Sequence, residues 1–155
     1  MESCRKALDD LDAYITEEGP FDAVLAFSQG AALAATFIIR KFNQDPKQQH
    51  INSVFKCAIF ISGGIPRDPA ALLYDEMRSL DYPTDGEVIP VPTAHIWGSN
   101  DLLSPSELSR LCKSQGRTTF IHGGGHEVPG SRSKDAVTGT VHAIRRTIDK
   151  TVYTQ

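Results

Sequence analysis

The chain has 155 residues, 40% hydrophobic and 23% charged, the size and make-up of one globular domain with a sizeable core. A net charge of -3 without a basic stripe argues against a nucleic-acid partner, and no apolar segment approaches the length of a membrane span. Three widely spaced cysteines (Cys4, Cys57 and Cys112) and an N-terminus without a signal-peptide core point to reduced thiols in a cytoplasmic protein.

From Glu2 to Glu18, Ala7, Leu8, Leu11, Tyr14 and Ile15 recur at helical spacing, and Gly19-Pro20 stops the helix. Phe21 to Phe27 is a short apolar run that predicts a strand buried on both faces. Gly30 to Lys41 is apolar nearly all round and predicts a buried helix; the polar stretch 43–52 reads as a surface loop. A second buried strand is expected over Val54 to Ile61, ending at Ser62-Gly63-Gly64. The segment 66–92 holds a weak helical pattern near Ala70 to Leu80 and turn chemistry at 82–86, and reads as either a cap or a crossover. Thr93 to Trp97 is the third strand, closed by Gly98-Ser99-Asn100-Asp101. Ser104-Pro105 starts a helix reaching about Ser114, Arg117 to Ile121 is the fourth strand, and the last helix covers 133–151.

Strand and helix alternate from Phe21 onward, which predicts an α/β fold of about four mainly parallel strands with helices on both faces. In such sheets ligand chemistry gathers at the carboxyl ends of the strands. Ser28 follows the first strand, Gly63 and Gly64 the second, Asp101 the third and His126 the fourth. The pentapeptide Ala26-Phe27-Ser28-Gln29-Gly30 matches the G-x-S-x-G elbow with alanine in place of the first glycine. A serine needs an adjacent base to attack at neutral pH, histidine suits that duty, and an acid fixes its tautomer.

Each of these residues also has a structural reading. Ser28 could cap the helix that follows it, and Asp101 the helix that follows its strand. His122 lies closer to the strand than His126 and suits a structural role; intervening glycines deny the two a metal-binding register. His95 and Trp97 fit the core, and His50 and His142 have no role. Cys57 reads as a buried small hydrophobe.

The segments Gly19-Pro20-Phe21-Asp22, Ala26 to Ala31, His95 to Asp101 and His122 to Pro129 resemble those of the fungal serine hydrolase family, an α/β-hydrolase family that includes the human ovarian-cancer-associated homologue. The resemblance runs from about Leu8 to the last helix. It implies Ser28 as nucleophile, Asp101 as acid, His126 as base, no metal and no cofactor. The Gln29 amide would supply one oxyanion donor. Gly63, Gly64 and Ile65 would shape the acyl pocket, and the substrate would be a small ester or thioester, including acyl chains released from polyketide synthase carriers. The family carries further strands and a His-Gly loop before the elbow, without counterpart here. The chain is therefore expected to be N-terminally truncated, to lack the second oxyanion amide, and to be weakly active, since one such donor is worth about 100- to 1,000-fold. Its first strand would have an open edge, suited to pairing with another copy or another chain. The alternative is a catalytically silent hydrolase-like domain that acts through that assembly.

Overall fold

The computed structural model describes residues 2–130 and 132–152. In chain order its elements are α1 (Glu2–Glu18), β1 (Ala23–Phe27), α2 (Gln29–Gln44), α3 (Pro46–Ile51), β2 (Cys57–Ile61), α4 (Pro69–Leu72), α5 (Tyr82–Asp85), β3 (Thr93–Gly98), α6 (Ser106–Arg110), β4 (Arg117–His122) and α7 (Lys134–Val152). The four strands pair in sequence order, and every pair is parallel. This is the expected partial α/β-hydrolase architecture.

Two apolar layers hold the helices to the sheet. On one face Ala58 and Phe60 of β2 meet Ala31, Ala34, Phe37 and Ile38 of α2 and Leu8 of α1. On the other, Cys57, Ile59 and Ile61 join Ala94 and Ile96 of β3 under Ala143 and Ile144 of α7. Burial of each large aliphatic or aromatic side chain contributes about 1.5–3 kcal/mol. Polar contacts fix α1 on α2: the Arg40 guanidinium donates to the Leu8 carbonyl at 2.8 Å and to Asp9 at 2.7 Å, and Lys41 to Asp12 at 3.1 Å.

The expectation that the first strand is buried on both faces is corrected. β1 begins at Ala23, after Phe21 and Asp22, and its burial alternates. Val24 and Ala26 pack into the first apolar layer, whereas Leu25 is 61% exposed on the opposite face. The cause is the placement of α7, which lies over β2, β3 and β4 and stops short of the edge strand.

Other boundaries moved for local reasons. The stretch 43–52 contains α3, whose first turn is capped by the Asp45 carboxylate accepting from the Gln48 amide, with Pro46 opening the helix. β2 starts at Cys57 instead of Val54. Within 66–92 only two single-turn helices form, α4 and α5, capped by Asp68 and Asp81 respectively. α6 starts at Ser106 and ends at Arg110, short of Ser114.

Candidate active site

The hydrogen-bond ladder of the sheet continues one residue past three of its strands. The Ser28 amide donates to Ile61 at 3.0 Å, the Ser62 amide to Ile96 at 2.8 Å and the Ser99 amide to His122 at 2.7 Å. The turns at the carboxyl edge are thereby held in the same parallel register as the strands. Ser28 itself sits at φ 53° and ψ -119°, a region that costs a non-glycine residue about 1–3 kcal/mol. Its carbonyl offsets that cost, accepting from the amides of Ala31 at 3.1 Å, Ala32 at 3.3 Å and Gly64 at 3.0 Å. Glycine eases this approach, since a Cβ at position 64 would lie a tight 3.2 Å from that carbonyl oxygen.

The capping reading of Ser28 fails: its hydroxyl makes no bond to the first turn of α2. Instead Oγ lies 2.8 Å from His126 Nε2, and His126 Nδ1 lies 3.0 Å from Asp101 Oδ2. A carboxylate can only accept, so the imidazole proton belongs on Nδ1, and Nε2 presents its lone pair to the serine hydroxyl. The ring of Phe27 packs against the imidazole, with centroids 5.1 Å apart. Residues far apart in the sequence are thus joined in one hydrogen-bonded chain.

Asp101 does not cap α6, the helix that follows, whose first turn receives no side-chain cap. Oδ1 accepts from the Leu103 amide at 3.0 Å, closing the turn after β3, while Oδ2 faces His126. Its side chain has no solvent exposure. Burial pushes the carboxyl upward, but the Leu103 amide, His126 and the Ser62 hydroxyl together hold it below the ordinary carboxylate value. Ser62 is 2% exposed at φ 45°, and its buried hydroxyl makes no hydrogen bond, although it lies near enough to this carboxylate to favour the ionised form.

The loop carrying His126 is tied to the one carrying Asp101. The Asn100 amide donates to the Gly124 carbonyl and its side-chain nitrogen to the Gly123 carbonyl, each at 3.1 Å. Gly98 makes this approach possible, since a Cβ there would lie 2.2 Å from the Gly124 oxygen and 2.4 Å from that of Gly125. His122 is buried at the end of β4, where Nδ1 accepts from the Gly124 amide at 3.1 Å, a structural role.

The amides of Gln29 and Gly30, at the start of α2, have no acceptor among the described residues. They border a cavity of about 640 Å³ that Gly64, Ile65 and Leu103 also line. Gly63 does not line it: this glycine is buried, and a Cβ would meet Leu108 at 2.6 Å. His95 is 1% exposed, with Nε2 3.0 Å from Thr93 Oγ1, and burial followed by the charge of Arg117 lowers its pKa to about 3. Burial raises the Cys57 thiol and pushes that of Cys112 up to about 12, so neither competes as a nucleophile. Among the described residues there is no group of three ligand-type side chains that could hold a metal, and no helix long and apolar enough to cross a membrane.

Sequence reasoning missed Ser62 as a buried hydroxyl beside Asp101, Asn100 as the tie between loops and Phe27 as the wall beside the imidazole. The signal for Ser62 was its position, one residue past a strand end like Ser28.

Solved structures with this arrangement of strands and helices are α/β-hydrolases. A monoacylglycerol lipase from Paleococcus ferrophilus superposes with a TM-score of 0.57 at 14% identity, covering 92% of this chain and 76% of its own. A Bacillus cereus carboxylesterase does so with 0.53 at 16% identity, covering 92% and 59%. Residues 1–137 match the serine hydrolase (FSH1) family, to which the chain belongs. Relatives include Esterase FPY3 of Fusarium mangiferae, 41% identical over 96% of this chain and 66% of its own length. Esterase OVCA2 of Danio rerio is 33% identical over 86% of this chain and 51% of its own. The chain therefore spans from about half to two thirds of the length of these relatives.

Proposed function

We propose that this chain hydrolyses carboxyl esters or acyl thioesters through an acyl-enzyme on Ser28. The observation that carries the reading is the hydrogen-bonded series Asp101–His126–Ser28, at 3.0 and 2.8 Å, on the turns after β3, β4 and β1. His126 takes the hydroxyl proton as Oγ attacks the carbonyl carbon, and Asp101 stabilises the imidazolium that results. The unpaired Gln29 amide donates to the oxyanion. Collapse of the tetrahedral intermediate expels the alcohol or thiol, which takes its proton from His126; water then repeats the sequence and frees the acid. Thioesters react by the same route because the acyl-enzyme is common to both, so acyl release from a polyketide carrier falls within the proposal. The soluble compartment suggested by the cysteines, and a single domain, belong to the same reading.

A fluorophosphonate probe tests it directly. Folded protein should label, and Ser28→Ala should not; labelling that survives Ser28→Ala, or none in the native chain, rejects the mechanism.

One observation favours a second reading, assembly through β1. That strand is the edge of the sheet and leaves Leu25 and Phe27 exposed beside it, a surface suited to pairing with another copy or another chain. Light scattering across a dilution series separates the cases: a monomer at every concentration, with ester turnover, leaves self-assembly without support.

A further inference from the structure

The cavity beside Ser28 is lined by small and apolar groups, Ala32, Leu33, Ile65 and Leu103 among them, with one exception in charge: Arg67. Its backbone is held against α2, the amide donating at 2.9 Å to Oγ1 of Thr36, which is 1% exposed and itself donates to the Ala32 carbonyl at 2.8 Å. An antiparallel bridge to Ser79 secures the other side. The backbone of Arg67 is thus held on both sides.

Its guanidinium donates to the neutral Ser79 hydroxyl at an exposed position, and it has no carboxylate partner among the described residues. The acids nearby in sequence are taken by others: Asp68 and Asp85 pair with Arg78 at 2.9 and 2.7 Å, and Asp75 with Arg5 at 2.9 Å. A guanidinium fork binds a carboxylate through two parallel charge-assisted bonds, which are stronger than its bond to a neutral hydroxyl. The missing anion has room in the cavity.

Resting on the hydrolase reading, we propose that Arg67 is a specificity residue that selects esters or thioesters whose acyl part ends in a carboxylate. Arg67 lies three residues beyond Gly64, which donates to the Ser28 carbonyl, so the two are separated by at most about 10 Å of chain. A diacid half-ester carries its carboxylate on the same acyl chain as the reacting carbonyl, so a carbonyl at Ser28 would bring the carboxylate into the cavity that Arg67 lines. The neutral ester of the same length leaves the charge unpaired.

Equilibrium binding to Ser28→Ala, which cannot turn over, tests the proposal with monomethyl adipate and methyl hexanoate as probes. The adipate ester should bind more tightly, and adding Arg67→Gln should reduce the ratio of the two affinities at least about tenfold. Salt provides a measurement without a second substitution: between about 0.02 and 0.5 M sodium chloride the same ratio should fall, because an exposed charge pair is screened. A ratio unchanged within about twofold by either perturbation overturns the assignment, as does no saturable binding of monomethyl adipate. Failure of the hydrolase reading looks different, since it is read from Ser28 labelling in the native chain.

Discussion

Gly98→Ala isolates the close approach between the loops that carry Asp101 and His126. The added methyl would lie 2.2 Å from the Gly124 oxygen and 2.4 Å from the Gly125 oxygen, where ordinary contact starts at 3.4 Å. Both carbonyls must therefore retreat by about 1 Å, and Gly125 directly precedes His126. The 2.8 Å bond from the Ser28 hydroxyl to Nε2 stretches towards the limit of hydrogen bonding. A displacement of that size costs about 100-fold in rate, while overpacking on a glycine-rich loop costs about 1–3 kcal/mol of stability. The assay is the rate of fluorophosphonate labelling, with the urea midpoint measured alongside. Gly123→Ala is the control, because a Cβ there meets nothing within 4 Å. A folded Gly98→Ala protein that labels within about threefold of native would refute the reasoning.

Ser62→Gly removes the hydroxyl facing Asp101 without adding strain at a positive φ. It should lower kcat about tenfold with KM little changed, and move the acid limb of the pH–rate profile upward, since Asp101 loses a nearby hydroxyl that favours its ionised form; a rise in KM with kcat intact counts against the role. His95 is held neutral down to about pH 3 when folded but takes up a proton near pH 6.5 when unfolded. Its contribution is complete above about pH 6.5 and is lost as pH falls towards 3, so the stability advantage over His95→Gln should shrink by about 2 kcal/mol between pH 7.5 and 5 in urea titrations. An advantage independent of pH contradicts the burial argument. Gly139→Ala sets about 1 kcal/mol of helix propensity against a Cβ that would lie 2.1 Å from the Phe120 ring. The ring cannot yield as a flexible chain end would, so the urea midpoint should fall by a net of about 1 kcal/mol; a rise would show that Phe120 repacks freely.

What the sequence made legible follows from the range of each signal. α1 was readable because its apolar stripe repeats on one face, and Ser28, Asp101 and His126 because each lies past a strand in an alternating pattern. The open face of β1 was not, since an apolar run reads the same whether or not a helix covers it; coverage depends on where α7, more than 100 residues away, comes to rest. α3 and α5 were readable in principle from Asp45-Pro46 and from Asp81 with Pro83, a cap followed by a proline, but their polar composition resembled a loop. Ser62 could not be assigned a partner before the register was known, because its task depends on β2 lying beside β3.

The backbone ladder that runs beyond the strands makes position 28 a reporter of global order. Under the proposed mechanism, its nucleophilicity requires the edge strand, the two middle strands and the C-terminal loop to be docked at once, over a span of 98 residues. A species in which one of those units has peeled away would keep most of its circular dichroism yet become silent to an organophosphorus reagent. Reactivity at this serine would then decline earlier along a denaturant gradient than the helical signal does.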